Sequence, residues 1–467
     1  MNLKTKYNIN MSTKTKMKFS KAFWVANVVE LFERAAYYGV FIVMTLYLSR
    51  ILGFNDIQSA SVAGVFSALL YFLPTFSGAI ADKIGFRKSI LLAFSLLTIG
   101  YLGLALFPTW LQAAGYIELN VDGRSYDVSK LHDSFNKYGI IPIMIFIVIG
   151  GAFIKSVITG TVARETTAEN RAKGFSIFYA MVNIGAFSGK TIVEPLRSSL
   201  GDQGLVTLNY FSAAMTLIAL IAVWFFYKSA ESAGETKKLK EIWTALVKVC
   251  TNGRLITLIL IITGFWMVQH QLYATMPKYV LRLAGEDSSP SWYANVNPLV
   301  VALCVGFVTQ LMSKKTALTS MTWGMFIMPI SALCMSFGNM LDFNNSILGM
   351  HPVAFMMVVG IVFQGLAETF ISPRYLEYFS LQAPKGEEGL YLGFSHLHSF
   401  LSSILGFGLS GFLLSKYCPD PALFETHDAW AAASVNAHYI WYVFVGIALV
   451  SAIALIVYGK VVKKRND

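Results

Sequence analysis

The sequence predicts an all-α membrane protein with about twelve transmembrane helices in two six-helix bundles. Three observations predict it. The 467 residues are 55% hydrophobic and only 13% charged, with a mean hydropathy of +0.57, whereas a soluble chain carries roughly a quarter charged residues. Apolar runs of about 20 residues, long enough to cross a bilayer, recur along the chain. A Lys-rich connection divides them six and six. Length alone would suggest roughly three soluble domains, but the apolar runs overrule it.

The elements follow in order. A polar, basic tail over 1–21 precedes spans at 22–48, 59–80, 89–107, 140–163, 174–194 and 209–227. The loop over 108–139, containing GRSYDVSKLHDSFNKYG, is long and polar and reads as a small outer elaboration. The linker 228–254, KSAESAGETKKLKEIWTALVKVCTNGR, is cytoplasmic, and 238–249 suits an amphipathic helix on an anionic lipid surface. Spans at 255–280, 292–313, 318–338, 352–377, 390–415 and 438–459 complete the second half, before a tail over 460–467. The halves 22–227 and 255–459 are expected to be the N-terminal and C-terminal bundles. No convincing repeat relates their sequences.

The net charge of +11 is unevenly placed. The outer loops hold Arg50, Arg124, Lys130, Lys137, Arg197, Lys278, Arg282 and Lys416. Most of the other Lys and Arg lie in the tails, the linker and the loops of the opposite side. That bias puts both termini in the cytoplasm, with the cell inner membrane as the expected location. It makes the lipid bilayer, not nucleic acid, the expected partner. The first twenty residues lack an apolar core, so the first span is expected to act as its own insertion signal. Cys250, Cys304, Cys334 and Cys418 show no metal or disulfide spacing. There is no G-x-x-x-x-G-K-[ST] loop for nucleotide. His396 and His398 stand two positions apart, off one helix face, and make a poor chelate. Neither a cofactor nor a metal is expected, and no nucleophile with a positioned base suggests an enzyme.

The charges inside the spans carry the chemistry. In ELFERAAYYG, helical spacing puts Glu30, Glu33, Arg34, Tyr37 and Phe41 on one stripe. Each charge at bilayer depth costs several kcal/mol unless paired or wetted. Glu30 and Arg34 pair at i, i+4, and Glu33 is left over. A purely structural ion pair is the bland reading. The surplus carboxylate favours a group that takes up and releases protons near neutral pH. Lys155 is a lone cation in IFIVIGGAFIKSVITGTV and Glu368 a lone anion in FMMVVGIVFQGLAETFI. One half offers each, so movement of the halves can pair or part them; Lys155 is too deep to snorkel easily. Lys190 reads as an interfacial anchor near the outer end of the fifth span.

Between the second and third spans, GAIADKIGFRK resembles the signature loop of the major facilitator superfamily. Gly85 permits the turn. The resemblance implies the major facilitator fold, with Gly78, Asp82, Gly85 and Arg87 in a conformational latch. E-x-x-E-R-x-x-Y-Y-G in the first span resembles the hallmark of the proton-coupled oligopeptide transporters, the POT or PTR family. The likeness continues through Tyr71 in YFLP, Asn183 in GFSIFYAMVNIGAF, Trp266 in GFW, Asn297 in NPL and Glu368 in AETFISPRYLEYF. It implies a proton-coupling set of Glu30, Glu33, Arg34, Lys155 and Glu368. Arg34 and Lys155 would attract a peptide carboxylate and Glu368 its amino group. The substrate-binding candidates are Arg34, Tyr37, Tyr71, Lys155, Asn183, Trp266, His270, Asn297, Glu368 and Ser395, with Phe41 beside them.

Departures from the family accompany the likeness. The family's arginine two residues after YYG is Phe41, and its acidic partner four residues after the tryptophan is His270. Both members of one outer gate pair are absent together, which avoids a lone buried charge. The eleventh-span tryptophan is Ser395. His270 reads equally as a second titrating group or a pore-lining ring. The resemblance implies proton-coupled symport of di- and tripeptides by alternating access, by a monomer whose partners are solute and protons. Alternatives are a carrier or exporter of a non-peptide solute on the same scaffold, and a membrane sensor without transport, which would not need the coupling carboxylates.

Overall fold

The computed structural model describes residues 19–167, 170–228, 239–341, 346–382 and 393–466. In the first half, α1 (Lys21–Ile42) and α2 (Met44–Arg50) make one bent span, and α3 (Asp56–Phe72) and α4 (Pro74–Ile84) another. Then come α5 (Phe86–Ala113), α6 (Ile140–Arg164), α7 (Arg171–Leu200) and α8 (Asp202–Phe226). The connecting helix is α9 (Leu239–Thr251). The second half contains α10 (Gly253–Gln269), α11 (Gln271–Ala274), α12 (Met276–Ala284), α13 (Pro290–Tyr293) and α14 (Val296–Leu311). It continues with α15 (Ala317–Phe337), α16 (Pro352–Leu381), α17 (Leu397–Tyr417), α18 (His427–Ser434) and α19 (Tyr439–Asn466). A small antiparallel hairpin, β1 (Glu118–Leu119) with β2 (Tyr126–Asp127), caps the side called upper here. The α4–α5 turn and α9 mark the lower side.

Among the described residues, nine helical stretches are long and apolar enough to cross a membrane, and eleven if each bent pair counts as one span. The twelfth expected span is α7, 30 residues long but interrupted by Lys190, Glu194 and Arg197, all buried. The helix expected from residue 238 runs Leu239–Thr251. The expected tail over 1–18, the linker over 229–238 and the start of the eleventh span over 390–392 lie outside the described residues.

The breaks have local causes. The α3–α4 bend of 48° falls at Pro74, which has no N–H to give to the turn before it. The α1–α2 bend of 50° falls at Val43. The seventh span breaks at His270 and again at Thr275, just ahead of Pro277. Such interruptions leave backbone groups free at depth, where broken membrane helices commonly bind ligands.

Within the first half, α1 packs on α7 and α8, and α5 on α6 and α8. In the second, α15 packs on α16 and α19, and α10 on α17 and α19. Small residues set the closest approaches. A Cβ on Gly185 would lie 2.5 Å from the Leu31 carbonyl oxygen and 2.8 Å from Arg34 Cβ, so α7 is pressed against the charged stripe of α1. Between the halves, α3 lies along α17. There a Cβ on Gly64 would lie 2.8 Å from Phe407 Cβ and 3.0 Å from the Ser403 carbonyl oxygen.

Candidate functional site

Glu30, Glu33 and Arg34 of α1 are 3%, 2% and 6% exposed. Arg34 Nε lies 3.1 Å from Glu30 Oε1 and 2.5 Å from Glu33 Oε2. These contacts are ionic but not aligned as hydrogen bonds: Glu30 Oε2, Glu33 Oε2 and Arg34 Nε make none among the described residues. Two buried carboxylates therefore share one guanidinium, and the second needs a proton, water or another cation. The Arg34 guanidinium also stands 5.6 Å from the Tyr37 ring, which stacks on Phe41 at 5.1 Å.

Lys155 of α6 faces this cluster and acts electrostatically on Arg34, Glu33 and Glu30. Its Nζ donates to the Leu70 carbonyl at 3.1 Å and lies 4.1 Å from the Tyr71 ring centre. The Leu70 carbonyl is free because its helical partner four residues on is Pro74. Chain chemistry in α3 thus makes the acceptor that anchors Lys155.

Glu368 of α16 accepts hydrogen bonds from Gln269 Nε2 at 2.8 Å and Asn297 Nδ2 at 3.4 Å. Gln269 is the last residue of α10, at the edge of the His270 break. The structure does not bring Lys155 and Glu368 together, since each is held by other groups. Lys190 corrects the sequence reading: it is no interfacial anchor but 2% exposed, with Nζ 3.3 Å from the Ala294 carbonyl of the other half.

A ring of aromatic and imidazole groups surrounds Tyr71. His270 and His396 lie 6.3 and 6.5 Å from its ring centre, nearly parallel to it. Trp266 stands 6.0 Å from His270 and 5.3 Å from His398. Nδ1 of His398 is 2.6 Å from the Ser395 carbonyl and its Nε2 is 2.9 Å from Ser399 Oγ, which suits a neutral ring donating from Nδ1. His270 is buried, with Nδ1 3.3 Å from Ser402 Oγ. Ser395 is fully buried and serves this ring through its carbonyl, which also accepts from the Tyr375 hydroxyl at 2.9 Å. Asn183 donates to the Tyr179 carbonyl at 2.7 Å, on its own helix.

The upper side is closed by charges, of which Arg50, Arg197, Lys278 and Arg282 were expected in the outer loops. Asp56, at the start of α3, receives Lys278 Nζ at 2.8 Å and both Arg282 Nη atoms at 2.9 Å, all from α12. Glu286 receives Arg50 Nη1 at 2.9 Å and Arg197 Nη1 at 3.1 Å. Burial alone would raise the Glu286 carboxyl. The hydrogen bonds and charge of Arg50, with Arg197 behind it, outweigh burial and hold it below the usual range. Among the described residues, all ion pairs joining the two halves lie here. They border a cavity of about 1240 Å³ on the upper side, apart from the Glu30–Lys155 cluster. The spacing of Lys278 and Arg282, four apart on a short helix, was the available signal.

On the lower side, Asp82 meets Arg164 at 2.8 Å, Arg87 donates to the Trp224 carbonyl at 2.9 Å, and Gly85 turns the chain at φ +90°. Gly78 faces Ser156, where a Cβ would lie at an ordinary 3.6 Å.

This architecture is that of the major facilitator superfamily. The family model described as Major Facilitator Superfamily matches residues 134–349. The chain is also similar to individual peptide transporters. It is 24% identical over 262 residues to dipeptide and tripeptide permease A of Erwinia pyrifoliae, covering 56% of this chain and 47% of the relative. It is 31% identical over 239 residues to solute carrier family 15 member 2 of Rattus norvegicus, covering 49% of this chain and 30% of the relative. The chain thus spans about half the length of the permeases it matches. Among solved structures, the POT family transporter PepTSo superposes with a TM-score of 0.71 at 18% identity, covering 96% of this chain and 99% of that one. A POT family transporter in complex with 5-aminolevulinic acid superposes with a TM-score of 0.68 at 17% identity, covering 92% and 95%. The resemblance to the POT family carried by the sequence motifs is met by these independent likenesses.

Proposed function

We propose that the chain is a secondary active transporter that couples proton entry to symport of small peptides by alternating access. The observation that carries this reading is the buried cluster of Glu30, Glu33 and Arg34, with two carboxylates on one guanidinium. Protonation of one carboxylate relieves the imbalance, and deprotonation restores it, so the cluster has two states of similar energy. Lys155 faces the cluster from the same half and Glu368 stands in the other half, which suits a solute with a carboxylate and an ammonium. The halves act as two rocking bodies, with the upper side outermost, both termini cytoplasmic and the lipid bilayer of the cell membrane around a monomer. Asp82, Gly85 and Arg87 serve the lower latch. Tyr37, Tyr71, Trp266, His270 and Asn297 line the solute path. The permeases among the relatives support a peptide substrate.

A second reading has its own support. Phe41, His270 and Ser395 replace residues that the resemblance leads one to expect, so the solute path differs while the charged cluster is kept. A small amino-carboxylate solute other than a peptide fits Lys155 and Glu368 as well, and one structural neighbour is described with 5-aminolevulinic acid.

The test is uptake of labelled dialanine into proteoliposomes, driven by a pH gradient. Symport predicts uptake that collapses without the gradient, and in Glu33→Gln and Lys155→Ala. Folded wild-type protein that takes up no dialanine, but is stabilised thermally by another amino carboxylate, would favour the second reading.

A further inference from the structure

The connecting helix α9 presents three faces, and the bundle accounts for one of them. Ile242, Ala245, Leu246 and Val249, three and four positions apart, are buried. They seat α9 on α4 of the first half and on α10 of the second. Only Asn252 separates α9 from α10. Its side chain accepts from the Arg254 and Leu255 N–H groups and so starts α10 as a new helix. The contact with α4 then carries α9 across the lower side to the other half.

The second face is apolar and uncovered. Trp243 and Val247 are 56% and 45% exposed, and Cys250, at the next turn of the same stripe, is exposed as well. The third face is polar: Lys240, Thr244, Lys248 and Thr251 are all exposed. Lys240 borders the apolar stripe, and the sequence just before α9 adds Lys237 and Lys238. In and beside the α4–α5 turn, Lys83, Arg87 and Lys88 are exposed on the same side of the molecule. A helix with one face on protein, one apolar face and one basic face fits the interface of a bilayer. Tryptophan belongs at headgroup depth, and lysine stems reach from there to the phosphates. The stripe also continues a surface that lipid covers, since Ile84 at the end of α4 and Leu260 of α10 are exposed apolar residues of spans. The lysines choose the lipid, because basic residues at a membrane surface are drawn to an anionic leaflet.

We propose that α9 is a docking surface for anionic phospholipid, with Trp243, Val247 and Cys250 toward the acyl chains and Lys240 and Lys248 on the headgroups, and that lipid bound there holds α9 across α4 and α10 and so keeps the lower ends of the two halves together. The orientation given under the proposed function puts this side in the cytoplasm, where the anionic leaflet lies. The identity of the solute does not enter.

The experiment places the full-length protein in nanodiscs of phosphatidylcholine, alone or with added phosphatidylglycerol, and needs no transport. A spin label goes on the native Cys250, with Cys304→Ala and Cys334→Ala; Cys418 is buried and stays unlabelled. Oxygen, which concentrates among acyl chains, should relax this label, whereas a water-soluble nickel complex should relax a label at Thr244→Cys in a Cys250→Ala background. Phosphatidylglycerol should deepen the Cys250 label, and Lys240→Gln with Lys248→Gln should need on the order of tenfold more of that lipid for the same depth. In a Cys250→Ala background, labels at Ile84→Cys of α4 and Thr257→Cys of α10 should move closer when phosphatidylglycerol is added, and not in the lysine variant. A Cys250 label as open to nickel as the one at 244 puts the stripe in water and overturns the proposal. A label shielded from both reagents puts protein over the stripe, a second copy or another chain, and overturns it as well. Equal depth in the two lipids removes the anionic partner, and an unmoved α4–α10 distance removes the hold on the halves.

Discussion

Replacing Asp56 by Asn should open the upper side. Asp56, Lys278 and Arg282 have side chains only 6%, 2% and 5% exposed, so solvent screens their attraction little. Asn keeps the shape and removes the charge, leaving two buried cations without their shared carboxylate. Breaking a buried pair in this way costs about 3–5 kcal/mol. The lower end applies, because Lys278 retains Ser59 Oγ at 2.9 Å, and Arg282 retains Asp420 at 3.1 Å and the Cys418 carbonyl at 2.6 Å. About 3 kcal/mol shifts the balance of closed and open upper sides by roughly 150-fold. Cys418 supplies the assay. It is fully buried beside this network, and burial pushes its thiol up to about 12, so it stays protonated and unreactive while the side is closed. In a Cys250→Ser background, maleimide should modify Cys418 on the order of 100-fold faster in Asp56→Asn than in wild type. Equal rates in the two folded proteins would refute the view that this carboxylate closes the upper side.

Three further outcomes are expected. Gly64→Ala places a methyl 2.8 Å from Phe407 Cβ and 3.0 Å from the Ser403 carbonyl oxygen, so it should wedge α3 from α17 and lengthen the distance between spin labels at Ser198→Cys and Ser415→Cys; an unchanged distance distribution would show that the seam gives without opening. Asp82→Asn should leave the melting temperature within about 2 °C of wild type, since Asp82 and Arg164 are 38% and 34% exposed and such pairs contribute under about 1 kcal/mol, yet it should slow solute uptake several-fold if the lower latch works; normal uptake would count against the latch. Glu286 is held below its ordinary pKa, so its support of upper closure is complete above about pH 4.3 and is lost as pH falls through the lower folded value. Its side chain is 60% exposed, so the effect is under about 1 kcal/mol: between pH 5 and pH 3 the same label pair should separate slightly in wild type and not at all in Glu286→Gln.

The architecture was legible because the bilayer imposes it. Apolar runs mark the spans, α7 among them over 174–194, although its polar residues make it the least apolar of the long helices. The α1 cluster was legible too, because helical spacing alone puts Glu30, Glu33 and Arg34 on one face. What the sequence could not convey was distance across the interface. Lys155 and Glu368 look like partners as two lone opposite charges, yet the carbonyl freed by Pro74 holds one and Gln269 the other. Lys190 looks like an anchor because it lies well along its helix from the lower end; only the fold shows the other half covering that position. Lys278 and Arg282 read as loop charges: their spacing of four puts them on one helix face, but does not reveal that α12 meets Asp56 of α3.

The resemblance leads one to expect a gate pair at Phe41 and His270, and the structure places aromatic contacts there instead. Phe41 packs against Tyr273 at 5.0 Å and Phe407 at 5.9 Å, and His270 lies 6.1 Å from the same Phe407. The two positions therefore meet a common aromatic ring of the second half, His270 from within that half and Phe41 across the interface, where an ion pair would have to be desolvated at depth. The charges that close the upper side stand instead at its rim, where α3 begins and α12 ends. Water reaches the rim as soon as the halves part, so the charges released there are rehydrated at once, which charges beside Phe407 would not be. The rings of His270 and His396 stand beside Tyr71, and Arg34, Lys155 and Glu368 are the charges proposed to meet a solute.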